Sequence, residues 1–514
     1  RSALAFGGQW GALNGTGELS HFQTDGYRDH SAAERDHLNA KLRYSLSEAT
    51  SMTLVANSLR QPDTQDPLGL TRAQMEQDPR QATPQALAFN TRKTVEQDQA
   101  GVTLAHRLGA GSRLELTLYG GQRFVEQFLA IPLVTQSAPT HSGGVVNLDR
   151  NYGGAALRYF TDLGPVRLSA GIENEAMEER RRGFENLNGV SGALKRDEDN
   201  EVKSLDFFAQ GEWKATERLS LHAGARRSRV AFESSDHFIV AGNGDDSGAK
   251  TYRATTPVAG VLFRVNRTTS VYGNVGRGFE TPTFVELAYR STGPGLNFDL
   301  EPSRSRHAEL GIKTLAAGWL RLNAALFEVR TTNEIVVEQN TGGRATFKNA
   351  GRTDRAGYEV AAETVLGGPF EARVSYTYLE ATFAEDFTTV AGLPAVAVTV
   401  PAGNLLPGVP RRQLYAELRY RQPAFFAQVD TLRRSRVAVD DRNTDFADGY
   451  QIYGAAAGLV QEGRDWTVTE YIRIDNLTDR NYAGSVIVND GNGRYYEPSP
   501  RRSMAVGLQA SLRF

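Results

Sequence analysis

RRSMAVGLQASLRF, residues Arg501–Phe514, alternates without a miss. Met504, Val506, Leu508, Ala510, Leu512 and Phe514 fall on one side of the period, and Ala505, Gly507, Gln509, Ser511 and Arg513 on the other. A repeat of two is the mark of a strand with one apolar face. Terminal segments of soluble domains usually fray into polar residues. Here the apolar stripe runs through the final residue, so the segment is expected to be built into a sheet.

Working back from that end, the same repeat recurs. Leu114, Leu116 and Leu118 alternate with Arg113, Glu115 and Thr117; Leu205, Phe207 and Ala209 with Asp206 and Gln210. Leu219, Leu221 and Ala223 alternate with Ser220 and His222, and Leu414, Ala416 and Leu418 with Gln413 and Glu417. No comparable 3.6-residue stripe is present, so an all-β chain is expected.

Composition narrows the class. The 514 residues are 40% hydrophobic, carry a formal net charge of -2 and contain no cysteine. Mean hydropathy is -0.42. No charge excess points to nucleic acid, and there is no thiol for a disulfide, a zinc knuckle or a cysteine nucleophile. No stretch approaches the ~18 consecutive apolar residues of a spanning helix. A membrane barrel is not excluded by any of this, because lipid-facing and lumen-facing residues alternate and its average hydropathy resembles that of a soluble protein.

The connections between strands alternate in length. Gly11–Asn14, Ser47–Thr50, Gly109–Gly111, Thr161–Gly164, Lys214–Glu217, Asn266–Thr268, Ala316–Gly318, Leu366–Gly368, Gln422–Pro423 and Gln461–Gly463 read as short turns. Gln61–Thr94, Phe124–Leu148, Arg181–Val202, Phe232–Gly248, Phe279–Arg304, Glu385–Val409 and Thr478–Ser499 read as long polar loops. Short turns at one end and long loops at the other are the pattern of a transmembrane antiparallel barrel with its loops outside the cell. Trp10, Trp213, Trp319 and Trp466 all lie close to short turns, as an interfacial girdle requires. About 21 strands can be counted, whereas plugged outer-membrane transporters have about 22. Arg1–Trp10 and Pro500–Phe514 both run toward the short-turn end, so an ascending first strand is expected upstream of Arg1. A closed sheet of this size holds more space than side chains fill, so its polar face is the inner one. The reverse would place Arg113, Arg226 and Arg419 in hydrocarbon at about 2–4 kcal/mol each near the midplane.

RIDNLTDRNYA (Arg473–Ala483), EPSPRR (Glu497–Arg502) and the strand ending at Phe514 resemble the C-terminal region of TonB-dependent outer-membrane receptors. NVGRGFETPTFVELAY (Asn274–Tyr289) with LEPSRSRHAELGIK (Leu300–Lys313) is similar to their mid-barrel motif, and TDGYRD (Thr24–Asp29) to their early outer turn. Motif positions are Arg277, Phe279, Glu280, Pro282, Asn476, Leu477, Asp479, Tyr482 and Phe514. A narrower resemblance, in TDGYRDHSAA (Thr24–Ala33), DPLGLT (Asp66–Thr71) and FNTRKTVEQDQAGV (Phe89–Val102), is to the branch that takes up pyrroloquinoline quinone, a planar tricarboxylate. Ferric siderophore uptake is the competing substrate class.

The resemblance implies a monomeric active importer in the bacterial outer membrane, in contact with lipid and lipopolysaccharide. It would bind a small-molecule ligand in its outer loops and couple through a plug to the inner-membrane TonB complex. Surface exposure also suits a phage or bacteriocin receptor. The chain opens in strand pattern, so the plug is expected outside residues 1–514, which read as the barrel domain. No cofactor and no catalytic residue is expected: the sequence has no G-x-S-x-G elbow, P-loop or G-x-G-x-x-G run.

A polycarboxylate or iron chelate calls for arginines to grip oxyanions and aromatics to stack on a planar ring. Arg92, Lys93, Phe124, Phe128, Arg180, Arg181, Arg182, Tyr289 and Arg290 lie in or beside the long loops and are the candidate ligand residues. Most loop arginines merely solvate a surface or meet lipopolysaccharide phosphates, so a minority of these is expected to touch ligand. At Arg277, Phe279, Glu280 and Pro282 a structural role outweighs ligand contact, with Pro282 ending a hydrogen-bond ladder. HSAAERDH (His30–His37) lacks the spacing of a metalloprotease helix. GNGDD (Gly242–Asp246) and NDGNG (Asn489–Gly493) lack the closing glutamate of a calcium loop and read as turns. Two rival classes fit the sequence less well, since it shows about 21 strands and no internal repeat. A passive porin would have 16–18 strands, and a soluble propeller would repeat every ~40–50 residues.

Overall fold

The computed structural model describes residues 1–290, 295–341, 344–364, 368–391 and 396–514. Alternation has become one antiparallel sheet of 21 strands, from Ser2–Trp10 to Ser503–Leu512. Each long strand pairs with its neighbours in chain order, as a meander does. Among the described residues the first strand is bonded only to Leu13–Thr24 and the last only to Trp466–Asp475, and both run toward the short turns. None of the described helices is long and apolar enough to cross a membrane.

Leucines of the alternating pattern sit on the outer wall, where Leu4, Leu116, Leu326 and Leu508 are exposed. All four tryptophans are exposed near the short turns. Phe370, Tyr420 and Phe425 form a chain of rings there, with centroids 5.0 and 5.7 Å apart. The opposite face is charged. Glu173 accepts from Arg158 Nη2 at 2.7 Å and from Arg226 Nη2 at 2.8 Å, and Arg226 also lies 3.0 Å from Asp206. Such a network is tolerable only on a wet or protein-filled inner face.

Apolar burial is concentrated at the loop end. Phe232, Tyr252, Phe284, Leu287, Leu296 and Leu300 make one cluster. Ala381, Phe383, Val400 and Leu406 belong to a second, and Val439, Ala483 and Tyr496 to a third. The loops are therefore packed bodies rather than solvated excursions. Their ends meet across the sheet. Leu70, from the connection after the fourth strand, forms a main-chain bridge with Tyr496, from the connection before the last. Arg72 Nη2 donates to Asp445 Oδ1 at 2.6 Å and to the Tyr496 hydroxyl at 2.8 Å.

Several expected loops are strand extensions instead. Arg181–Val202 is the top of a hairpin made by Val166–Leu187 and Val190–Lys214, 22 and 25 residues long, turning at Asn188–Gly189. A strand needs only ~9–11 residues to cross a bilayer, so this hairpin stands well above it. Its polar residues alternate between partners on two faces, which composition alone reads as a loop. The connections also contain short helices, Arg72–Gln77, Pro84–Phe89, Leu133–Gln136 and Phe284–Leu287, where none was expected. At four to six residues each they are too short to leave a periodic stripe. The expected turn Leu366–Gly368 lies, except for Gly368, outside the described residues.

Candidate ligand pocket at the outer mouth

The mid-barrel motif builds one wall of the mouth. The ladder between Thr269–Glu280 and Ser303–Ala316 ends at the pair Glu280 and Ser303, and Pro282, with no N–H to give, follows at once. Thr283 then caps the helical turn Phe284–Leu287: its side chain accepts from Glu286 N, while its own N–H donates to Glu286 Oε2 at 2.7 Å. This is a capping box. Phe284 and Leu287 anchor the turn in the apolar cluster, with Phe279 packed beside them under the Arg304 guanidinium. The turn delivers Tyr289 and Arg290 to the mouth. Arg277 is opposite Arg306 in the ladder.

The tall hairpin supplies the second wall. Glu179, Arg181, Arg196, Glu198 and Asn200 share its inward face, as register and burial both show. Arg196 forks onto Glu198 at 2.5 and 2.9 Å and donates to the carbonyl of Ala288 at 2.7 Å, fixing the residue before Tyr289. Glu179 is held by Arg150 and by Asn200. Arg181 is 5% exposed, and among the described residues no carboxylate lies within ion-pair distance of it. Both nearby carboxylates are taken.

The third wall comes from the connection that holds Leu133–Gln136. Gln136 and Asn186 are wholly buried, and Asn186 N donates to Gln136 Oε1 at 2.7 Å. The Asn186 amide also donates to Leu129 O at 3.0 Å and Phe89 O at 2.9 Å. These bonds lash the connection to the hairpin tip and present His141 and Ser142. Arg344, from the hairpin Ile335–Thr341 with Arg344–Asn349, reaches across the mouth. Its Nη1 donates to His141 Nε2 at 2.7 Å and its Nη2 to Ser142 Oγ.

The walls enclose a cavity of about 290 Å³ lined by His141, Lys195, Arg196, Tyr289, Arg290 and Arg344 together with the acids Glu198, Asp236 and Asp246. The Tyr289 ring is surrounded by guanidiniums: Arg344 at 3.8 Å from its centroid, Arg181 at 5.2 Å and Arg196 at 5.6 Å. Burial raises the Tyr289 phenol's pKa, but the charges of Arg181, Arg344 and Arg196 outweigh it and the net shift is downward. His141 is pushed down to about 4, by burial first and then by Arg344 and Lys195. Gly143 N also points at its Nδ1, so both ring nitrogens face donors; the neutral ring accepts at one of them and a protonated ring would accept at neither. Beneath this pocket a second space of about 570 Å³ opens in the lumen, lined by Tyr119, Arg150, Tyr152, Arg226 and Phe279 among others.

A wall of this size, with short turns at one end and interlocked loops at the other, matches a known family model. Residues 7–477 fit the family described as TonB dependent receptor-like, beta-barrel. The chain belongs to that family. This receptor barrel resides in the outer membrane, and propeller architecture is set aside. It superposes on the unliganded ferric citrate transporter FecA with a TM-score of 0.79, at 19% identity, covering 100% of this chain and 75% of that one. For the ferric yersiniabactin uptake receptor FyuA of Yersinia pestis the values are 0.76 and 17%, covering 100% and 77%. A 163-residue stretch is 24% identical to the metal-pseudopaline receptor CntO of Pseudomonas aeruginosa (strain UCBPP-PA14), spanning 32% of this chain and 22% of that protein. At these identities the likeness is one of fold.

Of the candidate ligand residues, the receptor brings Arg181, Tyr289 and Arg290 together. Lys93 also lies on the inward parity, away from this cavity. Arg92 stacks on Phe128 at 3.7 Å and pairs with Asp63 at 3.0 Å. Arg92, Phe124 and Phe128 share the parity of the outward leucines of their strands. Arg180 also faces outward, forking onto Asp197 and reaching Asp199, and Arg182 bonds Asn147. Lys195, Arg196, His141 and Arg344 were missed. The even-numbered run from Arg196 to Glu198 and Asn200 would have marked an inward face had the segment been read as strand. Nothing local marks Arg344, because its partners come from 200 residues away.

The other motif positions are structural. Asn476, buried with φ 51°, accepts from Arg480 N and donates to Arg480 O. Leu477 N donates to Tyr453 O, Asp479 holds Arg501 and the Arg502 N–H, and Tyr482 packs on Tyr450 at 4.4 Å. Phe514 is fully exposed, two residues past the end of the last strand. The segments Thr24–Ala33, Asp66–Thr71 and Phe89–Val102 are joined in a clasp: Arg28 donates to Leu68 O at 2.6 Å and Gln81 O at 2.8 Å, and His30 Nε2 is 2.8 Å from Thr91 O. Within HSAAERDH, His30 and His37 have separate partners, while Glu34 and Asp36 converge on His21, their ligand atoms within 4.8 Å of one another.

Proposed function

We propose that the protein imports a scarce small ligand across the outer membrane, captured in the mouth pocket and passed into the lumen on energy delivered by the inner-membrane TonB complex through a plug inside the barrel. The observation that supports it is the mouth itself: three loop systems, far apart in the chain, interlock around a pocket that opens above a wide polar lumen. A passive pore has no need of such a pocket.

Pyrroloquinoline quinone is the first candidate ligand, on the loop text of Thr24–Ala33, Asp66–Thr71 and Phe89–Val102 and on the fit of a planar tricarboxylate to arginines flanking Tyr289. A metal chelate is the second, favoured by similarity to proteins described as ferric citrate, ferric yersiniabactin and metal-pseudopaline receptors. Uptake of labelled pyrroloquinoline quinone and of a ferric chelate panel by cells with and without the full-length gene tests both. Uptake should stop when the proton gradient is collapsed. Uptake that persists, with steady ion conductance in liposomes, would instead mark a passive porin.

A further inference from the structure

Resting on the reading of the mouth as the capture site, we infer that Arg344, with Lys195 beside it, is the subsite for a ligand carboxylate, and that the imported molecule is therefore a carboxylate-bearing anion. Among the described residues Arg344 has no carboxylate partner. Its bonds go to neutral groups, His141 Nε2 and Ser142 Oγ, and its planar face lies on the Tyr289 ring. Among the described residues Lys195 donates only to a main-chain carbonyl, that of Ala138, at 3.0 Å. Of the three acids lining the same cavity two are engaged elsewhere, and the third, Asp246, makes no ion pair with Arg344 or Lys195 among the described residues. Glu198 is forked by Arg196, and Asp236 accepts from the N–H groups of Phe238 and Asp246. Arg290 reaches Asp299 only at 3.7 Å.

A cation held on neutral hydrogen bonds and an aromatic face is positioned but not neutralised. The neutral clamp orients the fork, and the aromatic face lets a guanidinium lie flat without spending its N–H donors. What the site lacks is an anion, which would add charge-assisted bonds of the strongest class. Volume narrows the ligand further. About 290 Å³ is at the low end for small-molecule pockets, enough for one compact head and not for a whole bulky chelate. The carboxylate head enters at Arg344 and Lys195, and the rest of the molecule stays in the mouth above. The arginines singled out by their position in a basic run take no part: Arg180 is paired with Asp197 and Arg182 bonds the Asn147 amide, both on the hairpin's other face and outside the cavity lining.

The test uses the purified full-length receptor in detergent, with pyrroloquinoline quinone, citrate and ferric citrate as probes and equilibrium dialysis as readout. Arg344→Gln should weaken the bound probe about tenfold or more, Lys195→Gln several-fold, and Arg344→Lys should recover part of the loss. Arg182→Gln should bind as the parent does. Heat-modifiable migration establishes that each variant is folded. Equal affinity of Arg344→Gln and parent for the probe would overturn the subsite. So would uptake of a neutral or cationic ligand by energised cells whose receptor binds none of the three probes, and in that case the import reading would survive.

Discussion

At the scale of single residues, two loop groups titrate in opposite senses. His141 has its folded pKa lowered to about 4, so its contribution is full above the unfolded value near 6.5 and is lost as pH falls through 4. That is at most about 3 kcal/mol, less where water reaches the ring. Acidification to pH 4 should therefore loosen the connection carrying His141, seen as faster proteolysis between Leu129 and Gly144, and His141→Gln should flatten that pH dependence. Asp441 is buried, and burial pushes its carboxyl up to about 6. Its stabilisation is present in acid and declines as pH rises through 6, so Asp441→Asn should raise the thermal midpoint at pH 7 and leave it unchanged at pH 4.

At the scale of elements, the strands were legible and the loop ends were not. Leu114–Leu118 declares a strand because lipid on one side and water on the other impose strict alternation. The hairpin above the membrane has no lipid, so Arg180, Arg181 and Arg182 alternate in partner rather than in polarity, and composition reads them as a loop. The pocket was half visible for the same reason: Tyr289 follows a motif, whereas Arg344 acquires its role from partners met only across the mouth. The element that presents His141 depends on two special positions. Gly143 has φ 79°, and a Cβ there would lie 2.1 Å from Phe184 O, so Gly143→Ala should displace the connection. Asn186→Ala removes the side-chain partners of the Leu129 and Phe89 carbonyls and of the Gly189 N–H, at about 1–3 kcal/mol for each that stays buried. Both variants should retain the folded barrel while losing ligand binding and exposing residues 129–144 to protease.

At the scale of the whole molecule, the placement of lipid and water can be checked with two neighbouring positions. Leu116 is on the outer wall, and Thr117 is bonded to Thr103 on the inner one. Leu116→Arg should cost about 2–4 kcal/mol in folding into bilayers, whereas Thr117→Arg should cost little because the lumen is polar. Urea titrations in lipid vesicles distinguish them.

The bridge between Leu70 and Tyr496, with Arg72 on Asp445, bears on mechanics. The edge strands Ser2–Trp10 and Ser503–Leu512 run in the same direction and are not paired with each other. The connections after the fourth strand and before the last are nevertheless stitched together at the rim, one on each side of that seam. The stitch acts as a hoop. Lateral pressure from the membrane that tended to unroll the sheet would be carried as tension through the loops, so the lid of this barrel is also its clasp.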